Sequence, residues 1–269
     1  STLLASSAAS DVYKRQILEG IKVMRNIKLV IEYDGKEFNG WQKQPDKLNI
    51  QGNIEKAIEA ITGEKIELMA SGRTDRGVHG LGQVANFKTN SNLPIDKFPI
   101  AINTNLKQSI RILSAEEVDE KFHSRLSCKK KTYRYIINNS QYGTAIYRNL
   151  ETNIPMQLDI AKMKEAVKYF EGEHDFKAFR ASGTSSKNSV RVIYQAEVKE
   201  MPNERIYIEL TGSGFLYNMV RIIAGTLVEV GLGKMKPSEV PNIIESGKRE
   251  KAGKTLPPQG LYLVSVEYE

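Results

Sequence analysis

Apolar residues along the chain switch between two periods, and the switches outline its elements. In "IKLVIEYDG" the residues Ile27, Leu29, Ile31 and Tyr33 share one parity, as a strand with one buried face requires, and Asp34-Gly35 marks the turn that follows. In "NIQGNIEKAIEAITG" the spacing changes: Ile50, Ile54, Ile58 and Ile61 recur at helical intervals and the pattern stops at Gly63. "KIELMAS" alternates again and predicts a strand, as does "QVANFKT". Between them lies "GRTDRGVHGLG", whose Gly72, Gly77 and Gly80 argue against a helix and predict a loop carrying Asp75.

The second half repeats this vocabulary. "KTYRYIIN", "SVRVIYQAEV", "RIYIEL" and "LYLVSVEY" read as strands. "DIAKMKEAVKYFEG" reads as a helix with Asp159 as N-cap, an apolar stripe of Ile160, Met163, Val167 and Phe170, and Gly172 beyond its end. "YNMVRIIAGTLVEVG" is a second helix, and the polar stretch "RASGTSSKNSVR" predicts a mobile basic segment. The reading is an α+β protein built on mainly antiparallel sheets. It has two halves, residues 24–125 and 126–269, with the boundary near 120 to 128. The Ser/Ala-rich leader, residues 1–23, lacks the charged start and apolar centre of a secretion signal and is expected to stand outside the fold.

Composition narrows the class. At 269 residues, with 40% hydrophobic and 26% charged positions and no apolar run long enough to cross a bilayer, the chain reads as a soluble globular protein. Its formal charge of +7 favours a polyanionic partner such as nucleic acid. A single cysteine, Cys128, excludes an internal disulfide and fits a reducing, cytoplasmic compartment.

Several chemistries drop out on spacing. "GKT" occurs at 253–255, but Lys248 stands where a phosphate-cradling loop needs its first glycine. Only three histidines exist, and Asp75 and His79 would face one metal only on a helix, so no metal site is expected. No G-x-S-x-G nucleophile turn is present.

Three signals remain. Asp75 sits between Arg73 and Arg76; it is either a turn aspartate held by local hydrogen bonds or a carboxylate kept ionised by its arginines, which could also hold phosphates. His79 is either a hydrogen-bond partner that shapes the loop or a base. Arg221 projects away from the apolar stripe of Met219, Ile222, Ile223, Leu227 and Val230, near the helix N-terminus where a cation is mildly disfavoured. It is a solvated arginine or the partner of a carboxylate in a cleft. Finally, "CKKKTYRYIINNSQYGTAIYR" interleaves Lys129, Lys130, Lys131, Arg134 and Arg148 with four tyrosines, the combination that holds single-stranded RNA through its backbone and unpaired bases. Tyr133 and Tyr135 share a strand face, so either both are core or one lines a site.

From about Asn26 onward the chain resembles the tRNA pseudouridine synthase A (TruA) family. The resemblance rests on six ordered motifs: "YDGKEFNGWQKQ", "GRTDRGVHGLGQVANF", "FHSRLSCKKKTYRY", "EGEHDFKAF", "GFLYNMVRIIAGTLVEVG" and "LPPQGLYL". Arg76 stands where the family pattern usually has alanine. The resemblance implies that Asp75 is the catalytic aspartate, Arg221 its ion-pair partner, Tyr133 the ring packed against the target uracil and Arg73 the arginine that helps extrude the base. Together with Arg73 and Tyr133, residues Arg76, His79, Lys129, Lys131 and Leu261 are the expected substrate contacts. It further implies the pseudouridine synthase fold with its halves meeting at a basic cleft, a homodimer, tRNA as partner and substrate at uridines 38, 39 and 40 of the anticodon stem-loop, and no cofactor or metal. Two rivals are an RNA-binding module without catalysis and an RNA hydrolase using Asp75 as a base.

Overall fold

The computed structural model describes residues 24–183 and 188–269; the leader and the centre of the polar stretch, residues 184–187, lie outside it. Among the described residues ten strands join into one mainly antiparallel sheet. In chain order they are β1 (Arg25–Tyr33), β2 (Met69–Ala70), β3 (His79–Thr89), β4 (Ile110–Val118), β5 (Lys130–Asn138), β6 (Thr152–Asn153), β7 (Gly172–Asp175), β8 (Val190–Met201), β9 (Arg205–Gly212) and β10 (Leu261–Glu267). The spatial order is β4-β1-β3-β10-β5-β9-β8-β7, with β2 beside β3 and β6 beside β5.

The sheets of the two halves meet edge to edge. The last strand, β10, lies in the middle: it runs antiparallel to β5 and parallel to β3 through only Tyr262–His79 and Leu263–Gly80. Backbones approach closely at this seam, where a Cβ on Gly82 would stand 2.5 Å from the Val264 carbonyl oxygen. Each half has its own apolar cluster. One gathers Ile27, Leu29, Ile31 and Phe87 from the sheet with Ile50, Ile54 and Ile58 of helix α1 (Ile50–Thr62), and Phe98 and Ile102 of helix α2 (Phe98–Asn103). The other packs Tyr135, Ile137, Ile206, Ile208 and Leu210 against helices α3 (Ile160–Val167), α4 (Met219–Gly231) and α5 (Val240–Ser246).

Helix ends follow their sequence signals. Asn49 caps α1 by accepting from the Gly52 amide at 2.8 Å, and Gly63 closes it in the left-handed region at φ 72°. Asp159 accepts from the Lys162 amide at 3.1 Å at the start of α3. That helix ends sooner than its apolar stripe suggests, tightening into a 3-10 turn at Lys168–Phe170, and Gly172 begins β7.

Two expectations need correction. Of the strand predicted over "KIELMAS", only Met69 and Ala70 pair with β3. Side chains take the place of a neighbouring strand: Glu55 accepts from the Leu68 amide, Gln51 donates to the Leu68 carbonyl, and the Glu64 carboxylate caps Thr89 and Asn90. Helix α4, read as amphipathic, is buried on every side, with eleven of its thirteen residues inside. Its second face meets residues 252–256, where Gly225 is obligatory because a Cβ there would stand 1.8 Å from the Lys254 carbonyl oxygen. No helix among the described residues is long and apolar enough to cross a membrane.

Candidate active site

The Asp75 loop, residues 71–78, is fixed by hydrogen bonds rather than by apolar packing. The buried Ser71 donates from its amide to Val84 and from its hydroxyl to the Gln83 side chain, whose amide nitrogen reaches the Gly72 carbonyl at 2.9 Å. Lys131 on β5 donates to the Ser71 carbonyl at 2.6 Å, tying the second half to the loop. Thr74 is held twice: its carbonyl accepts from the Trp41 amide at 3.0 Å, and its hydroxyl meets that of the fully buried Tyr33 at 2.9 Å. The Val78 amide closes the turn on the Asp75 carbonyl at 3.1 Å. On the loop's own side every anchor is backbone or the short side chain of Ser71 or Thr74, which leaves the Asp75 carboxylate itself free to face the opening.

Arg221 reaches that carboxylate from the other half. Its Nε donates to the Leu256 carbonyl at 2.7 Å, its Nη1 donates to Asn218 Oδ1 at 2.6 Å, and the same Nη1 stands 4.0 Å from Asp75 Oδ2. The arginine is mostly buried, with its side chain 15% exposed, against 37% for Asp75. So the residue that turns away from the helix's apolar stripe does meet a carboxylate.

Asp75 borders a cavity of about 890 Å³, lined also by Arg73, Tyr133, Lys131 and Leu261 of the expected residues and by His123, Arg125, Phe215, Tyr217 and Asn218; Arg221 stands behind this lining, against Asp75 and Asn218. Tyr133 packs edge-to-face on Phe215, ring centroids 5.0 Å apart, while Tyr135, on the same strand face, is core and hydrogen-bonds Thr152 and the Pro257 carbonyl. One tyrosine therefore lines the site and the other does not.

Four expected residues are not part of the cavity lining: Arg221, which touches it only through Asp75 and Asn218, and Arg76, Lys129 and His79. Arg76 is exposed beside the loop and Lys129 is exposed at the foot of β5. His79 is buried, stacks on Tyr262 at 4.8 Å, and spans the two halves: Nδ1 accepts from the Gly35 amide at 3.1 Å and Nε2 faces the Asn149 carbonyl at 3.0 Å. Burial holds its pKa below the ordinary histidine value. A ring protonated on Nε2 satisfies both contacts, while the Asp34 carboxylate, 3.1 Å from Nδ1, pulls the pKa the other way.

The electrostatics of Asp75 also differ from expectation. Among the described residues neither Arg73 nor Arg76 pairs with it or hydrogen-bonds to anything; both side chains point to solvent. Burial is the largest influence on the carboxyl and raises its pKa above the ordinary value, with Arg221 pulling the other way. Sequence neighbours on a turn diverge, and the partner that counts comes from a helix far along the chain. Burial likewise raises the Tyr133 phenol and lowers the Lys131 ammonium. The cavity thus holds a partly desolvated carboxylate, backed by one buried guanidinium, with an aromatic wall and a basic rim of Arg73, Arg125 and Lys131. Such an array suits a charged base or nucleophile acting on a planar ring attached to a phosphate backbone.

A sequence profile described as tRNA pseudouridine synthase matches residues 29–126 and 166–269. The chain belongs to the tRNA pseudouridine synthase family. These are isomerases that act on uridine in tRNA. Relatives named tRNA pseudouridine synthase A include those of Acetivibrio thermocellus, at 52% identity, Caldicellulosiruptor bescii, at 54%, and Caldicellulosiruptor saccharolyticus, at 53%. In each case the match covers 91% of this chain and 100% of the relative. Family membership makes sense of cavity residues that residue-by-residue reading passed over. Phe215, Tyr217 and Asn218 lie in "GFLYNMVR", and His123 and Arg125 in "FHSR", both among the motifs that carry the resemblance.

Proposed function

We propose that this chain converts uridine to pseudouridine at positions 38, 39 and 40 in the anticodon stem-loop of tRNA, working in the cytoplasm as a homodimer. One observation carries the reading: Asp75 and the buried Arg221, supplied by opposite halves of the chain, face each other at 4.0 Å beside a cavity walled by Tyr133 and rimmed with cations.

The reaction breaks the bond from uracil N1 to ribose C1′, turns the base, and joins C5 to C1′; the proton on C5 leaves and N1 gains one, so nothing is oxidised. Hydrolytic glycosidases typically need two carboxylates because water must be activated. Here water has no part, and one carboxylate is enough. Reaching the bond requires flipping the nucleotide out of its stack, at a cost of a few kcal/mol. Exposed Arg73 would fill the gap and Tyr133 would hold the ring. Asp75 must be ionised whether it attacks the sugar, attacks the base or removes the ribose 2′ proton; we favour the last, a glycal route. Arg221 keeps the charged form accessible in a site whose burial opposes it.

The test is tritium release from tRNA labelled at uridine C5, with wild type and Asp75→Asn side by side, followed by mapping. Release by wild type alone, with intact chains and pseudouridine at 38 to 40, is expected. Modification elsewhere overturns the assigned positions, and broken chains or abasic sites favour a hydrolase. Retained binding without release makes the protein an RNA-binding module. Phosphate contacts also require affinity for tRNA to fall as salt rises.

A further inference from the structure

Asn218 is one of four described non-glycine residues with positive φ, at φ 60° and ψ 8°, and it stands at the N-cap of α4. An asparagine at a helix start normally turns its side chain back to accept from the helix's first amides. This one makes no such bond. Its Oδ1 takes Arg221 Nη1 at 2.6 Å instead, and that nitrogen is the one 4.0 Å from Asp75. The Leu256 carbonyl fixes Nε from the opposite side at 2.7 Å. A left-handed backbone and a forgone cap are thus both spent on the guanidinium.

We infer that Asn218 is a positioning residue that restrains Arg221, holding its Nη1 short of a direct hydrogen bond to Asp75. The restraint matters because a full arginine–carboxylate pair lowers a carboxyl pKa by about one to three units. A carboxylate locked in such a pair is a weak base. At 4.0 Å the charge of Arg221 is felt while the Asp75 oxygens stay open to the substrate. The inference rests on the function proposed above. The other titratable groups facing this pair are Tyr133 and Tyr135 from β5 and Tyr217 just before α4, while Arg73 and Arg76 on the loop itself are exposed. None of these lies in the Asn218–Arg221 hydrogen bond.

Two variants pull in opposite directions. Asn218→Gly keeps the left-handed backbone at no steric cost and frees Nη1 to close on Asp75. Asn218→Asp keeps the reach but adds a carboxylate that competes for Nη1. The test uses the full chain, with single-turnover rates against pH on tRNA and, independently of activity, a 13C titration of the Asp75 carboxyl assigned by its loss in Asp75→Asn. In Asn218→Gly the acid limb of the rate and the carboxyl titration should both move down by about one pH unit. In Asn218→Asp both should move up. A purely structural role would lower rates without opposite shifts. Curves that superimpose on wild type in folded variants overturn the inference while leaving the proposed function standing. Carboxyl shifts of the expected signs in a protein that releases no tritium would do the reverse.

Discussion

The Asp75 loop and helix α4 deliver the two charged groups of one site by different physics. The loop contributes no apolar side chain of its own apart from Val78 at its end, and is positioned by hydrogen bonds from Trp41, Tyr33, Val84, Gln83 and Lys131. The helix is enclosed by apolar contacts on nearly every side and presents Arg221 through one gap in that packing. Hydrogen bonds are directional and set an angle, whereas packing is volume-filling and sets a position. The half-buried carboxylate is therefore cheap to change for the fold and costly to lose for chemistry, while the helix behaves the other way round.

The sharpest way to test that contrast is Asp75→Asn. Activity should fall by roughly 1,000-fold or more, as for loss of a positioned base. Stability should hold or rise: burial lifts the carboxyl pKa in the folded state, so folding favours the uncharged form and charge at neutral pH works against it. Tritium release and a thermal melt on the same preparation check both halves of the expectation. Gly225→Ala should do the opposite, costing about 3 kcal/mol in denaturant unfolding because a methyl group has no space against Lys254, before any chemistry is measured.

Tyr33→Phe probes the hydrogen-bonded side. It leaves the Thr74 hydroxyl without its partner in a buried setting and should cost about 1 to 2 kcal/mol, together with a lower single-turnover rate as the loop loses one anchor. The pH profile of the wild type is gentler still: because the Asp75 pKa is raised and the proposed mechanism uses its ionised form, the rate should fall with decreasing pH at a midpoint above the ordinary aspartate value. Arg73→Ala should be the mildest for the fold, within about 0.5 kcal/mol of wild type, since the exposed side chain makes no hydrogen bond or ion pair with the described residues; its effect should appear in tRNA binding alone or in flipping.

Periodicity made much of the fold legible. Ile27, Leu29 and Ile31, and Ile50, Ile54 and Ile58 of α1, sit in the core their spacing implies, with Ile61 packed half-buried against it, and Asn49, Gly63 and Asp159 act as their types suggest. Local pattern misled where side chains from elsewhere replaced a strand, as at Leu68, or where a distant loop covered a second face, as on α4. The same limit applied at the site. Asp75 and Arg221 stood out as charges that apolar spacing could not use. Their pairing, and the irrelevance of Arg76 to it, depends on contacts across well over a hundred residues of chain. "AGKT", which failed as a phosphate loop, meets α4 with its glycine amide on Thr226, and Leu256 just beyond it holds Arg221.

The two-residue pairing of β10 with β3 also sets an order of events in synthesis. Until residues 261–267 have left the ribosome, β3 and β5 face a gap in the middle of the sheet, and the groups that make up the site belong to separate pieces. A nascent chain can build its first apolar cluster early, yet it cannot bring Asp75 and Arg221 together on that frame until the central strand arrives. Incomplete chains would thus carry the sequence of the enzyme without a site able to engage the tRNA crowding the translating ribosome.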